Sequence, residues 1–203
     1  MIPSTRAHSL MAGIAYLVTH VTAVTAVVTY ASGAIPAGVT LEFILALGCV
    51  ATGVTVWRLL YASGPTRAAT FALLRGVEAS VIVAGTLPLL AASWLPPQNE
   101  FTAAATHLHT AAFLLGQGLV ISVNTLVLAW LLWDAQAVPR PLAGLGALGG
   151  VMVLISNAAQ LWAVIPLNGT IAGVAAAPVF VFEIWFALHL IFTGLHPLPQ
   201  SAT

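Results

Sequence analysis

The stretch FALLRGVEASVIVAGTLPLLAASWL, residues 71–95, places Arg75 and Glu78 inside an otherwise apolar segment long enough to cross a bilayer. An ionisable side chain at membrane depth is costly, so such residues face a bundle interior or a cavity. Three residues apart on a helix, the two side chains share a face, where the guanidinium can neutralise the carboxylate. The pair therefore predicts a polar centre in a membrane protein, serving either a functional site or the register of the helices.

Composition assigns the whole chain to the membrane. Charged residues make up 5% of its 203 residues, no lysine occurs and the mean hydropathy is +1.04, whereas a soluble domain has about 25% charged residues. The few arginines are scattered, so no basic stripe is available for phosphate, and we exclude nucleic acid as a partner. The single cysteine, Cys49, excludes an intrachain disulfide.

Six segments are long and apolar enough to span a bilayer, and short connections rich in Gly, Pro, Ser and Asn separate them. We predict a single all-α transmembrane domain over residues 1–203, an integral membrane bundle of six helices. The predicted spans are approximately 10–31, 41–62, 67–94, 102–133, 141–166 and 172–195. Pro88 predicts a kink in the third span.

Arginine placement predicts the orientation, because cytoplasmic loops retain positive charge. Arg6, Arg67 and Arg140 fall in the N-terminus, the second connection and the fourth connection, which lie on one side of a six-span protein. Both termini are therefore expected in the cytoplasm, in a multi-pass protein of the inner membrane. A signal peptide is the alternative for the first segment, but its apolar run exceeds the usual h-region of about 7–15 residues.

Several ionisable residues fall at similar depths. Counted from the cytoplasmic end of each span at about 1.5 Å per residue, His20, Glu78 and Glu183 lie at roughly 16–18 Å and Arg75 at about 12 Å. Groups at this depth should face the interior or a cavity. We therefore expect these four residues, from three helices, to form the centre of a site.

The fourth span adds a polar stripe. On a helical wheel its members occupy an arc of about 100°, and they are Thr106, His109, Thr110, Gln117 and Asn124. Asn157 and Gln160 lie one turn apart on the fifth span. Such a stripe is typical of a hydrated path, a pocket wall or a polar contact between helices.

Aromatic residues follow each other at helical spacing next to Glu183. Phe182, Trp185 and His189 lie on the sixth span, and Trp130 and Trp162 lie on the neighbouring spans. An aromatic wall beside an acid can bind a lipophilic molecule and stabilise a cation. Core packing is the alternative explanation for the same residues.

The histidines do not indicate a cofactor. His20 and His189 differ by roughly 7 Å in depth, which disfavours haem ligation from facing helices. His107 and His109 lie about 200° apart around a helix, so they are poorly placed to bind one metal ion together. A surface metal site that also uses Glu42 or Glu100 is one hypothesis for these residues. The alternative is that they are ordinary histidines at the membrane interface. No phosphate-binding loop is present, since the glycine-rich runs lack a preceding strand. We expect no cofactor and no metal.

The chain resembles a known family in three segments: ALLRGVEASVIVAG, LVLAWLLWDAQAVPRPLAGLGALGGVMVLISNAAQLW and APVFVFEIWFALHLIFTGLHP. They resemble the domain-of-unknown-function 4386 family of bacterial membrane proteins. The family pattern corresponds here to Arg75 and Glu78, Pro139 and Arg140, and Pro178, Glu183 and Trp185. The resemblance implies a six-helix fold and no assigned activity. His20, His107 and His109 are not part of the pattern.

Two hypotheses for function follow. The first is a membrane-embedded enzyme that isomerises or cyclises an isoprenoid-like, lipophilic molecule. Glu183 would be the acid, because burial favours the uncharged carboxyl group. Glu78, paired with Arg75, would orient the site or act as the final base, and His20 or His109 would relay the proton.

Binding of the lipophilic substrate is assigned to polar and aromatic residues of the last three spans: Gln117, Asn124, Trp130, Asn157, Trp162, Phe182, Trp185 and His189. The second hypothesis is a small carrier, or a protein that binds lipid or a subunit, whose buried charges are structural or carry protons. Many carriers contain an inverted repeat. The two halves of this sequence show no convincing similarity, which argues weakly against a carrier. Membrane lipid is an expected partner, and a homo-oligomer remains open.

Overall fold

The computed structural model describes residues 3–96 and 100–195. It confirms the all-α prediction and contains six helices long and apolar enough to cross a membrane. We label them α1 to α6, and their bounds are Pro3–Ala31, Ile35–Leu60, Pro65–Ser93, Glu100–Asp134, Arg140–Leu161 and Thr170–Phe192. A 3₁₀ turn, Tyr61–Ser63, extends α2.

Proline and glycine determine where the helices begin and end. Pro36 and Pro65 lie in the first turns of α2 and α3, where the missing N–H costs nothing. Gly33, in the middle of the first connection, has a φ of 79°, a left-handed conformation that glycine adopts without steric cost. Of the loop predicted at residues 96–99, residues 97–99 lie outside the described residues.

Helix α5 ends earlier than the sequence predicted. The fifth span was expected to reach residue 166, but α5 ends at Leu161. Ala163 takes a φ of 54°, and the Val164 N–H donates to the Ala159 carbonyl oxygen at 2.8 Å. This 6→1 bond is typical of the Schellman motif that ends a helix. The left-handed position is occupied by Ala163 and not by the usual glycine, so the sequence contains no local signal for it.

Helix α4 is interrupted where it passes the centre of the bundle. Its α-helical parts, Glu100–Phe113 and Ile121–Asp134, flank a π-helical segment, Leu114–Val120. A π turn contains more residues than an α turn, so it rotates the following side chains relative to the preceding ones. The polar stripe predicted on one face is therefore divided between different neighbours.

The helices pack as a closed ring. Each contacts its neighbours in sequence, and α1 closes the ring by packing against α6. The guanidinium of Arg75 on α3 lies 5.5 Å from the centre of the Tyr16 ring on α1. The ring arrangement thus directs polar side chains of non-adjacent helices into one interior.

Arginine side chains gather at one end of the bundle. Arg6 Nη1 donates to the Leu190 carbonyl oxygen in the last turn of α6 at 3.1 Å, and Arg67 pairs with Asp134 at the end of α4. Arg140 begins α5. We call this the arginine end, defined by Arg6, Arg67 and Arg140.

Candidate functional site

The helix ring encloses a cavity of about 180 Å³, and all six helices contribute to its wall. Its polar side chains are His20, Cys49, Arg75, Glu78, Gln117 and Glu183, together with Thr19. Among the lining residues, Val24 on α1 and Ala176 and Phe180 on α6 are exposed on the outer face of the bundle. The cavity therefore opens between α1 and α6, toward the side that faces lipid.

Arg75 and Glu78 form the most buried part of the wall. Arg75 Nη1 donates to Glu78 Oε2 at 2.9 Å, and its Nε donates to Thr52 Oγ1 at 2.9 Å. Both charged residues are 2% exposed. An unpaired charge at this depth would be strongly destabilising, so each partner is required to keep the other charged inside the bundle.

Three side chains from three helices donate to the Glu78 carboxylate. Besides Arg75, Asn124 Nδ2 on α4 donates to Oε2 at 2.7 Å, and the Cys49 thiol on α2 lies 3.7 Å from Oε1. The hydrogen bonds join α2, α3 and α4. This carboxylate is held in place, with both oxygens engaged.

Glu183 is held much less firmly than Glu78. Its Oε2 lies 3.4 Å from His20 Nε2, long for a hydrogen bond, and no hydrogen bond links its carboxyl group to any other described residue. The two side chains are 9% and 11% exposed. Glu183 therefore presents a loosely paired carboxyl group to the cavity.

The geometry of His20 restricts how this pair can form a hydrogen bond. His20 Nδ1 lies 2.9 Å from the Tyr16 carbonyl oxygen, and a carbonyl only accepts, so Nδ1 is the donor in this contact. In a neutral ring Nε2 is then an acceptor, like the oxygens of an ionised carboxylate. A hydrogen bond between His20 and Glu183 would therefore require one further proton, on either partner. We call His20 and Glu183 the dyad.

The side-chain amide of Gln117 faces the cavity without a hydrogen bond to another described residue. Gln117 lies in the π-helical segment of α4. An amide offers both a donor and an acceptor, so Gln117 is available to orient a polar group of a ligand.

The structure brings together four predicted catalytic residues, His20, Arg75, Glu78 and Glu183, and two predicted substrate contacts. Gln117 lines the cavity, and Asn124 reaches it indirectly through Glu78.

The remaining predicted substrate contacts lie elsewhere. Trp130 lies beneath Arg67 at the arginine end, Trp162 is 79% exposed at the opposite end, and Trp185 is 41% exposed on the outer face. Phe182 stacks on Phe186 in the core.

Two further residues predicted to contact substrate also lie outside the cavity wall. Asn157 donates to the Val153 carbonyl oxygen at 2.8 Å, and His189 lies in the last turn of α6.

Sequence patterns missed the aromatic residue that does line the cavity. Phe180 lies one turn before Glu183, whereas the predicted aromatic wall ran in the opposite direction along α6. Its ring packs edge-on against His20 with centroids 5.0 Å apart. Tyr16, four residues before His20, was also missed, as were Cys49 and Thr52 on α2. For Phe180 and Tyr16, the spacing of one helical turn from a predicted site residue was the available signal. No residue of α2 had been assigned to the site, so Cys49 and Thr52 had no such signal.

His109, the fifth predicted catalytic residue, belongs to a second cluster at the end opposite the arginines. Its Nε2 lies 3.0 Å and 3.2 Å from the two oxygens of Glu42, and the Tyr30 hydroxyl donates to Glu42 Oε2 at 2.9 Å. Glu42 is 4% exposed. This cluster connects α1, α2 and α4 and does not line the cavity.

His107 is exposed on a different face of α4 from His109. Within residues 3–96 and 100–195, no group of three His, Cys, Asp or Glu side chains is close enough to hold a metal ion.

A family model described as a domain of unknown function, DUF4386, matches residues 7–194. The chain belongs to the DUF4386 family. The match includes every helix core and all residues of both clusters. No curated protein sequence and no solved structure matches the chain. The family description assigns no activity, so a function has to be argued from the cavity.

Proposed function

We propose that this DUF4386 protein is a membrane-embedded enzyme that performs acid–base chemistry on a lipophilic small molecule. Isomerisation or cyclisation of an isoprenoid-like substrate is the reaction class that fits best. One observation carries the proposal: Glu183 and His20 face each other at 3.4 Å, with His20 Nδ1 bound to a carbonyl oxygen, at the wall of a cavity that opens between α1 and α6. We propose that this dyad shares one exchangeable proton. A substrate dissolved in the bilayer would reach this proton without passing through water.

The proposed reaction begins with Glu183 as the acid. Its carboxyl proton moves to one carbon of an alkene, the π electrons form the new C–H bond, and the neighbouring carbon becomes a cation beside the new carboxylate. In cyclisation, a second alkene of the substrate attacks this cation, which closes a ring and moves the positive charge to a new carbon. In both reactions a C–H next to the cationic carbon then loses its proton to His20 Nε2, and its electrons form a double bond. Return of that proton to Glu183 restores the dyad, so no cofactor is consumed.

Arg75 and Glu78 act in this proposal as positioning residues. The two charges are paired, and hydrogen bonds to Thr52 and Asn124 hold them, which suits them to fix the wall rather than to exchange protons. Gln117 would orient a polar group of the substrate. His109 lies outside the cavity, so we assign it no part in this reaction.

Mass spectrometry of lipophilic molecules bound to the purified protein tests the proposal. Wild type and Glu183→Gln would be incubated with a total lipophilic extract of a bacterium that contains a family member. We expect a discrete species other than phospholipid to accumulate in Glu183→Gln and to be replaced by an isomer of equal mass in wild type.

Glu42→Gln is the matched control, because it makes the same change in a buried glutamate that also faces a histidine but lies outside the cavity. It should behave like wild type. Bulk phospholipid alone in wild type and Glu183→Gln would overturn the enzyme proposal.

We propose as a second candidate a proton-carrying membrane carrier. The observation that favours it is the pair of buried carboxylate–histidine contacts at two depths, Glu183 with His20 and Glu42 with His109. Apolar side chains, including Leu45 and Ile82, lie between them. A carrier would take up protons into liposomes when a substrate gradient is applied, and it would bind one unaltered molecule in the extraction experiment.

The orientation is also part of the proposal. We propose that both termini lie in the cytoplasm, with the protein in the bacterial inner membrane, because Arg6, Arg67 and Arg140 lie at one end. Terminal fusions test it: a fluorescent protein should mature at both termini, and alkaline phosphatase should be inactive at both. The reverse pattern would overturn the orientation.

A further inference from the structure

The net charge of the cavity wall depends on a single proton. Arg75 remains protonated at any accessible pH, and Glu78, which accepts its hydrogen bond at 2.9 Å, is its counter-ion. The remaining charge comes from His20 and Glu183. With its stored proton this dyad is neutral overall, and without the proton it carries one negative charge in a site shielded from water.

The size and position of the opening define what could replace that proton. About 150 Å³ is enough to hold a benzene ring, so the cavity of about 180 Å³ admits a compact head group. Val24 and Phe180, which are 54% and 45% exposed at the opening, would leave an attached alkyl chain in the bilayer. Phe180 also supplies an aromatic ring, a group that attracts cations.

We propose that the cavity binds lipophilic ammonium compounds, with the cationic head taking the place of the dyad proton beside Glu183. The same arrangement would stabilise the cation formed during isomerisation, so this inference rests on the proposed function for its biological meaning. Its chemistry stands on the cavity alone. Binding exchanges one positive charge for another: the ammonium enters and one proton leaves.

The exchange predicts the direction of the pH dependence. A proton that competes with the ligand weakens binding at low pH. As pH rises, the affinity for the ammonium should therefore increase by up to about tenfold per pH unit. The titratable groups facing the dyad are Tyr16, Cys49, Arg75 and Glu78 from α1, α2 and α3, while α4 and α5 present Gln117 and Val153 to the cavity. The slope is measured between pH 6 and 8, below the range near 8.5 and 10 in which free thiols and phenols titrate.

Octyltrimethylammonium is a suitable probe because its charge is independent of pH, and 2,2-dimethyldecane is its neutral isostere. Calorimetric titration of the detergent-solubilised protein in two buffers of different ionisation enthalpy measures affinity and proton release together. We expect the ammonium to bind with release of about one proton and with the stated pH slope. We expect the isostere to bind at least tenfold more weakly and without a slope.

Variants locate the binding. Glu183→Gln should weaken ammonium binding at least tenfold and abolish the pH slope, whereas Glu42→Gln should stay within about twofold of wild type.

Two results would overturn the proposal: equal binding of the isostere, or an affinity that is flat between pH 6 and 8. Both use the unmodified protein, so a variant that fails to fold does not prevent a decision.

Failure of this inference is distinguishable from failure of the proposed reaction. Ammonium binding with the expected slope, but no pair of isomers in the extraction experiment, would leave a cation-binding membrane protein. An isomer pair without ammonium binding would leave an enzyme whose cavity rejects permanent charge.

Discussion

Two buried glutamates face histidines in this protein, and the two pairs differ in what their protons are free to do. His20 is held by the Tyr16 carbonyl oxygen through Nδ1, so a hydrogen bond to Glu183 would need an additional proton. No described acceptor holds the Nδ1 of His109, so a neutral ring with its proton on Nε2 can donate directly to an ionised Glu42. The same two residue types therefore form a loose contact at the cavity and a close hydrogen bond outside it.

The two pairs also differ in how many helices their hydrogen bonds join. Glu42 accepts from Tyr30 and faces His109 with both oxygens, at distances of 2.9 to 3.2 Å, which ties three helices together. Glu183 faces one nitrogen at 3.4 Å and borders a cavity. The comparison teaches that burial and residue type do not by themselves mark a reactive carboxyl group. What distinguishes it is an unsatisfied hydrogen-bonding capacity beside open space.

The largest effect on stability is expected outside both pairs, at Arg75. Arg75→Met leaves the Glu78 carboxylate buried without its counter-ion, and removing one partner of a buried pair costs about 3–5 kcal/mol. Thermal unfolding in detergent measures the loss. The double variant Arg75→Met/Glu78→Leu should recover much of it, because apolar replacement removes both charges. A single variant as stable as wild type would show that the ion pair does not hold the helices.

The two glutamates should show opposite rankings for stability and function. Glu42→Gln disturbs a carboxylate engaged with Tyr30 and His109 and should cost about 1–3 kcal/mol, whereas Glu183→Gln, with its loose contact, should cost less than about 1 kcal/mol. Thermal unfolding of both variants, alongside the extraction experiment, checks the ranking. A larger loss of stability for Glu183→Gln than for Glu42→Gln would remove the basis of the comparison.

A smaller effect is expected at Tyr30. Tyr30→Phe removes one hydrogen bond to Glu42 Oε2 while keeping the ring packed against His109 at 5.1 Å, so it should cost about 1 kcal/mol. It should leave ammonium binding in the cavity unchanged. Unfolding and calorimetry on the same preparation test both statements, and a changed ammonium affinity would show that the two clusters are coupled.

The finest distinction involves the position of single protons. Nitrogen-15 NMR of the imidazole rings, assigned with His20→Gln and His109→Gln, should find a proton on Nδ1 of His20. For neutral His109 it should find the proton on Nε2. Neither assignment depends on a change in stability. A neutral His20 with its proton on Nε2 would contradict the dyad and leave two equivalent pairs.

Much of the fold was predictable, because each helix is specified locally. Six apolar runs interrupted by prolines and glycines lead directly to six helices, and the spacing of Arg75 and Glu78 leads to their shared face. The end of α5 was not predictable, since Ala163 has no local preference for its positive φ. The π-helical segment was missed for a similar reason: Gly116 and Gly118 permit it, but the packing of Val81 and Asn157 against them is a tertiary contact.

The candidate site shows the same division. Depth along each span, counted in the sequence, is enough to bring His20, Arg75, Glu78 and Glu183 to one layer. Depth does not specify rotation of a helix about its own axis. The prediction consequently assigned Trp185 to the site and missed Phe180, although Phe180 borders the opening of the cavity and Trp185 does not line it.

The sequence by itself determined that this is a six-helix membrane protein whose few ionisable groups must avoid lipid, because the cost of burying charge in hydrocarbon acts on each residue independently of its neighbours. Only the tertiary structure decided which partner each of those groups received. Glu78 accepts hydrogen bonds from three donors, and Glu42 contacts a tyrosine and a histidine. Glu183 contacts one histidine, whose other ring nitrogen is hydrogen-bonded to a backbone carbonyl oxygen. Partner choice depends on helix rotation, on the π turn of α4 and on closure of the ring by α1 and α6, and these are properties of the assembled bundle.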